Sequence, residues 1–169
     1  AIAELYAGEE CLVKTDTTWE ILESPIRFNN IYDGEVYDAR QQKCRIAGTK
    51  LLQESPKECG ELSDRYSLPI KAKEIFSVKE VLHTPSGDTV LDFGQNLTGL
   101  VELKVHGRKG QKIVIRHAEV LDKDGNFYTE TLRQAKSEDT YICNGEEQVF
   151  LPHFTFHGFR YICVEGMND

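Results

Sequence analysis

The chain of 169 residues has one tryptophan, one methionine, five prolines and no long apolar run. Its longest uninterrupted apolar stretch is Tyr161 to Val164, four residues, where a membrane-spanning helix needs about 20. Positive charge is in the minority: 20 Lys and Arg against 28 Asp and Glu leave a net charge of −8. That balance argues against a nucleic-acid backbone or an anionic membrane as the main partner. No Cys-x-x-Cys pair occurs, and the five cysteines at 11, 44, 59, 143 and 163 are sparse and odd in number. A small secreted disulfide scaffold is normally denser and even, so free thiols in a reducing compartment are the simpler expectation, with one or two disulfides the alternative. This leans the localisation to the cytoplasm. No charged segment with an apolar stretch opens the chain, so no signal peptide is expected, and a start at Ala1 reads as a fragment.

Hydrophobic residues make up 40% of the chain and charged residues 28%, enough to fold and bury a core. From Phe76 onward the apolar period is two, the pattern of half-buried strands. Val101 to His106 alternates strictly. In 112–120, Ile113 and Ile115 share one face with His117 and Glu119, and Phe159, Tyr161 and Cys163 alternate against Arg160, Ile162 and Val164. Turn signals separate these runs at Pro85–Asp88, Gly107–Gly110, Asp124–Asn126 and Asn144–Gly145. Short strands at this spacing predict an all-β fold, an antiparallel β-sandwich of jelly-roll type, over residues 76–169. Residues 1–45 carry two short strands and a stretch rich in Asp, Gly and Tyr, and read as the end of another domain too small for its own core. Residues 46–75 read as a polar connector, with one helical turn expected around Lys57 to Tyr66.

Several constellations suggest chemistry. Cys143, His153, His157 and Cys163 are zinc-ligand types, but His153 and His157 on one straight strand would lie about 13 Å apart. Strand-edge histidines and buried thiols are the plainer account. Asp122 to Asn126 alternates oxygen ligands, yet its glycine is fourth rather than sixth and Arg133 occupies the twelfth place, so a hairpin turn fits better than a calcium loop. Gly107-Arg108-Lys109-Gly110 spells a nucleic-acid clamp, but strands flank it in an acidic chain. Glycosidic acid–base work needs two carboxylates about 5–9.5 Å apart, and nothing pairs Asp92 or Glu119 with another. No Gly-x-Ser-x-Gly elbow, phosphate loop or His-Glu-x-x-His helix is present. Independent catalysis is not expected, and no resident metal is assigned.

Asp33, Glu35, Asp38 and Arg40, beside Tyr32 and Tyr37, form the most polar cluster. They can bind sugar hydroxyls or an ion; alternatively Gly34 makes a turn while Asp38 pairs with Arg40 or caps backbone donors. Asp92, Gln95 and Asn96 lie beside two glycines and either satisfy backbone groups at a strand end or form an interdomain seam. Arg160 reads as a structural pair or stacking partner.

Three strings rise above composition: Asp92-Phe93-Gly94-Gln95-Asn96-Leu97-Thr98-Gly99, His117-Ala118-Glu119-Val120-Leu121 with Asp124-Gly125, and Phe154-Thr155-Phe156-His157-Gly158-Phe159-Arg160-Tyr161. With Asp139-Thr140-Tyr141 between them, their order and spacing resemble the concanavalin-like β-sandwich that precedes the catalytic barrel of bacterial α-L-rhamnosidases. Thr15 to Trp19 and Ile31 to Arg40 resemble the close of the same enzymes' N-terminal domain. The resemblance implies a parent glycoside hydrolase that releases terminal L-rhamnose by inversion, its catalytic carboxylates lying in an (α/α) barrel beyond Asp169. No catalytic residue carries over. In some members the N-terminal domain is a calcium-dependent rhamnose-binding module, so calcium is implied only if that module were complete; otherwise no cofactor is expected. The implied partners are the parent's own catalytic barrel and L-rhamnose-containing glycans. Scaffold, carbohydrate-binding module and protein-interaction domain are the three functions carried forward, in that order.

Overall fold

A computed structural model describes residues 3–41, 45–48 (backbone only), 63–64 and 66–167. The first six strands are β1 (Glu4–Ala7), β2 (Glu10–Lys14), β3 (Glu20–Leu22), β4 (Ile26–Asn30), β5 (Gly34–Asp38) and β6 (Arg45–Gly48). The next are β7 (Glu80–His83), β8 (Thr89–Gly99), β9 (Leu103–His106), β10 (Lys112–Ala118), β11 (Val120–Leu121) and β12 (Phe127–Tyr128). A 3-10 turn at Glu130–Leu132 precedes β13 (Glu138–Ile142), β14 (Glu147–Phe150) and β15 (His157–Glu165). No α-helix occurs among the described residues. The helical turn expected near Lys57 to Tyr66 falls largely outside them, as do Cys44 and Cys59.

Two compact units divide the chain, one of residues 1–23 and 43–71, the other of 24–42 and 72–169. In the first, β1 pairs with β2 and β3 with β6, all antiparallel. Leu5, Tyr6, Leu12 and Ile21 stay exposed there, and every buried apolar residue described belongs to the second unit.

The second unit is built on a seven-stranded sheet in the order β4-β5-β13-β10-β15-β8-β7. Every pairing in it is antiparallel except β5 with β13. A second ribbon, β9 with β14, covers one face: Val105 and Phe150 join Phe93, Ile113, Ile115, Tyr141, Phe159 and Ile162 in one buried cluster. Two layers around one core make the all-β sandwich that the alternation predicts. Each fully buried side chain of this size contributes roughly 1.5–3 kcal/mol.

Two features lie beyond the sequence pattern. The stretch 24–42 packs with the sandwich: β5 runs beside β13 with Val36 opposite Thr140 and Tyr37 opposite Tyr141. In β15 the alternation breaks at a register shift between Phe159 and Tyr161. Such a bulge transfers later residues to the opposite face, so Ile162 joins Phe159 in the core while Tyr161 lies half-buried under Arg160.

Gly34 is required where β5 begins. Its φ is +103°, and an added Cβ would collide with the Glu138 carbonyl oxygen on β13. Gly87, in the β7–β8 turn, has φ +93° and nothing within 4 Å of such a Cβ. Gly87→Ala is therefore expected to lose only the left-handed strain, about 1–2 kcal/mol. Gly34→Ala is expected to lose roughly 1–3 kcal/mol more from overpacking. Urea unfolding of both variants measures the difference; equal losses would mean that β5 does not approach β13 this closely.

Candidate functional site

The polar cluster of 33–40 faces inward more than outward. The Asp33 carbonyl accepts from Glu138 N at 3.1 Å and its Oδ1 accepts from Lys136 N at 3.2 Å. Glu35 is fully buried; its Oε2 accepts from His153 N at 3.0 Å, and its Oε1 lies 2.9 Å from His153 Nδ1. Asp38 is buried and takes a bidentate grip from Arg40, with Nε to Oδ1 and Nη2 to Oδ2 both at 2.8 Å. The Arg40 guanidinium holds the Asp38 carboxyl down to about 2. Tyr37 stacks on Tyr141 and His153, while Tyr32 stays 70% exposed.

Asp92, Gln95 and Asn96 meet different surroundings. Asp92 is buried and bound bidentately by Arg160, Nε to Oδ1 and Nη2 to Oδ2 at 2.8 Å each, and also accepts from Gly94 N. Arg160 lies 4.9 Å over the Tyr161 ring, so it is both the structural pair and the stacking partner that the sequence suggested. Gln95 is exposed, and the exposed Asn96 donates to Glu119 at 3.3 Å. Asp122 accepts from the backbone N–H groups of Asp124 and Asn126 and from the Asn126 side chain, as a hairpin turn would have it.

The four zinc-type residues are scattered. Cys143 and Cys163 are buried free thiols, both pushed up by burial, and His153 sits on Glu35. Only His157 joins a cluster, with His117 and Asp139. These three come from adjacent strands, β15, β10 and β13, and all are buried. His157 Nε2 lies 3.2 Å from Asp139 Oδ2, and His157 Nδ1 lies 3.0 Å from Ser137 Oγ. His117 Nδ1 lies 2.8 Å from the Ser137 carbonyl, so that nitrogen carries the proton. Asp139 Oδ1 accepts from Glu35 N at 2.9 Å. Burial pushes His117 down to about 4, so its ring is neutral. Each residue stands in a string quoted from the sequence, but only the strand register brings them together.

Two of the clefts among the described residues bear on this. One of about 480 Å³ is lined by Val120, Leu121, Asp122, Lys123 and Tyr128. The other, about 230 Å³, lies between Tyr37, Tyr141, Gln148, Phe150 and His153 and has no carboxylate in its lining. Neither offers a pair of carboxylates for acid–base work.

Comparison with known proteins adds the family. Residues 82–169 match the bacterial alpha-L-rhamnosidase concanavalin-like domain, and residues 2–73 match the alpha-L-rhamnosidase N-terminal domain. An alpha-L-rhamnosidase of Streptomyces avermitilis is 35% identical over 160 residues, which is 88% of this chain and 15% of that protein. One from Formosa agariphila is 34% identical over 171 residues, 95% of this chain and 18% of its own. The crystal structure of the Streptomyces avermitilis enzyme complexed with L-rhamnose superimposes with TM-score 0.80 at 32% identity, covering 99% of this chain and 18% of that one. The alpha-L-rhamnosidase of Aspergillus terreus gives TM-score 0.77 at 37% identity, covering 95% and 20%. The chain thus spans between 15% and 20% of these relatives.

The two arginine–carboxylate pairs share one geometry, a buried carboxylate gripped by a partly exposed arginine, and predict comparable losses. With its folded value held below the ordinary 3.8, Asp38 adds stability above about pH 4 that disappears as pH falls toward 2. Arg40→Ala is expected to flatten that stretch of the acid-unfolding curve while lowering neutral stability by at most about 1 kcal/mol, since Arg40 is 42% exposed. Arg160→Ala, which leaves buried Asp92 in the same position, is expected to cost a comparable amount at neutral pH, since Arg160 is likewise partly exposed, at 38%. Urea midpoints from pH 2 to 7 measure both; an Arg40→Ala acid slope equal to the parent's would contradict the first.

Proposed function

Because the chain belongs to the bacterial α-L-rhamnosidase family, through both its N-terminal and its concanavalin-like domain, we propose that it serves as the accessory β-sandwich of a longer α-L-rhamnosidase. In this reading the parent hydrolyses terminal α-L-rhamnosides. The sandwich itself scaffolds and orients a catalytic (α/α) barrel and performs no chemistry. One observation carries the reading: the carboxylates best placed to serve a sugar are engaged inside the fold, Glu35 by His153, Asp38 by Arg40 and Asp92 by Arg160. The segment 149–156 supports it by exposing Val149, Leu151, Phe154 and Phe156, apolar groups suited to a domain seam.

A second reading, L-rhamnose binding at residues 30–40, is favoured by the 70% exposure of Tyr32 next to half-buried Asp33. An aromatic face beside a carboxylate suits a pyranose, with Glu35, Asp38 and Arg40 then shaping the loop from behind.

The chain is expected not to turn over a chromogenic aryl α-L-rhamnoside, and protein-dependent turnover would overthrow the scaffold reading. NMR titration with L-rhamnose, with and without calcium, separates the two. Unmoved signals support the scaffold. Saturating shifts confined to residues 30–40 and abolished by Asp33→Ala establish the binding module instead.

A further inference from the structure

We propose that His117, Asp139 and His157 form a buried divalent-cation site, and that zinc is the ion it fits. His117 Nε2 is fully buried and is the one buried side-chain polar atom without a hydrogen-bond partner among the described residues. With the proton on Nδ1, where it meets the Ser137 carbonyl, Nε2 presents a bare lone pair to Asp139 Oδ2 at 3.9 Å. A buried lone pair facing a carboxylate oxygen is a costly arrangement that a cation between them would relieve.

The spacing suits one. The three ligand atoms all lie within 4.8 Å of one another. His157 Nε2 is 3.2 Å and His117 Nε2 3.9 Å from Asp139 Oδ2. A tetrahedral zinc with bonds near 2.0–2.2 Å sets its ligand atoms about 3.4 Å apart, between those two values. The far side of every ligand is already held: His117 Nδ1 by the Ser137 carbonyl, His157 Nδ1 by Ser137 Oγ, and Asp139 Oδ1 by Glu35 N. Such outer hydrogen bonds orient metal ligands elsewhere. Asp139 also has no lysine or arginine partner among the described residues, so an ion would supply the missing countercharge. Two imidazoles with one carboxylate select zinc over calcium or magnesium, which take oxygen ligands.

Loading requires movement. The two rings are stacked, centroids 4.0 Å apart with planes at 24°, so they must turn for both lone pairs to converge on one point. No ligand residue is exposed, so the ion enters while the chain folds. Once bound it would tie β10, β13 and β15 together and, through Glu35 N, hold β5 against them.

The test is to unfold the whole chain, refold it with zinc, cobalt, calcium or chelator, and remove unbound ion by gel filtration. One zinc per chain is expected, with the intense visible bands of tetrahedral cobalt in the cobalt form. A thermal midpoint raised by zinc but not by calcium and shifted ring signals of His117 and His157 should accompany them. His117→Phe, which keeps an aromatic ring and removes the ligand, is expected to lose the ion. Absence of stoichiometric zinc and of tetrahedral cobalt bands in the parent would overturn the site, without need of any variant. Undiminished binding by folded His117→Phe, or a pale octahedral cobalt spectrum, would place the ion on surface carboxylates and overturn it equally. Metal content is read independently of sugar binding and turnover, so this result and the scaffold reading can fail separately.

Discussion

Asp139 is buried, and its two carboxylate oxygens are committed to different stretches of chain. Oδ1 receives the amide of Glu35, 104 residues earlier, while Oδ2 faces His157 on β15. Around it, Ser137 N donates to the Tyr32 carbonyl and Glu138 N to the Asp33 carbonyl. Glu35 in turn reaches forward to His153 in the loop that leads into β15. This buried exchange makes residues 24–42 a part of the sandwich and gives the acidic residues of 33–40 hydrogen-bond partners within it. A buried carboxylate without partners is expensive, which is why these contacts occur together.

The same arrangement recurs at other polar residues that stand out in the sequence. A carboxylate near an arginine two positions away, as in Asp38 and Arg40, reads as a sugar clamp or as an internal pair, and here Asp38 is buried and bound bidentately by Arg40. Asp92 and Arg160 are 68 residues apart, and their bidentate pair joins β8 to β15 beside the register shift. On a surface that is otherwise mainly polar, Val149, Leu151, Phe154 and Phe156 form an exposed apolar stretch.

Much of this was legible in the sequence, and the rest had an identifiable reason to be hidden. The alternation of Ile113, Ile115 and His117 marks one face of β10 correctly, because strand period is a local property. The glycine-containing turns fall between the predicted strands for the same reason. The bulge in β15 leaves no local sign, so Phe159 and Ile162 read as opposite faces although both reach the core. The parallel pairing of β5 with β13 joins residues about a hundred positions apart, and no period reports it. His117, Asp139 and His157 were each visible in a distinctive string. Their meeting depends on the strand order β13-β10-β15, which only tertiary structure supplies.

The most direct measurement of the account is native-state hydrogen exchange at the amides of Glu35 and Ala39, which bond to Asp139 Oδ1 and to the Ile142 carbonyl. If residues 24–42 belong to the sandwich, both amides exchange with the opening free energy of β10, β13 and β15. Exchange at the faster rate of the exposed β1–β2 hairpin would instead make 30–40 a loop free to open. The carboxylates of that stretch would then be open to solvent whenever it opens.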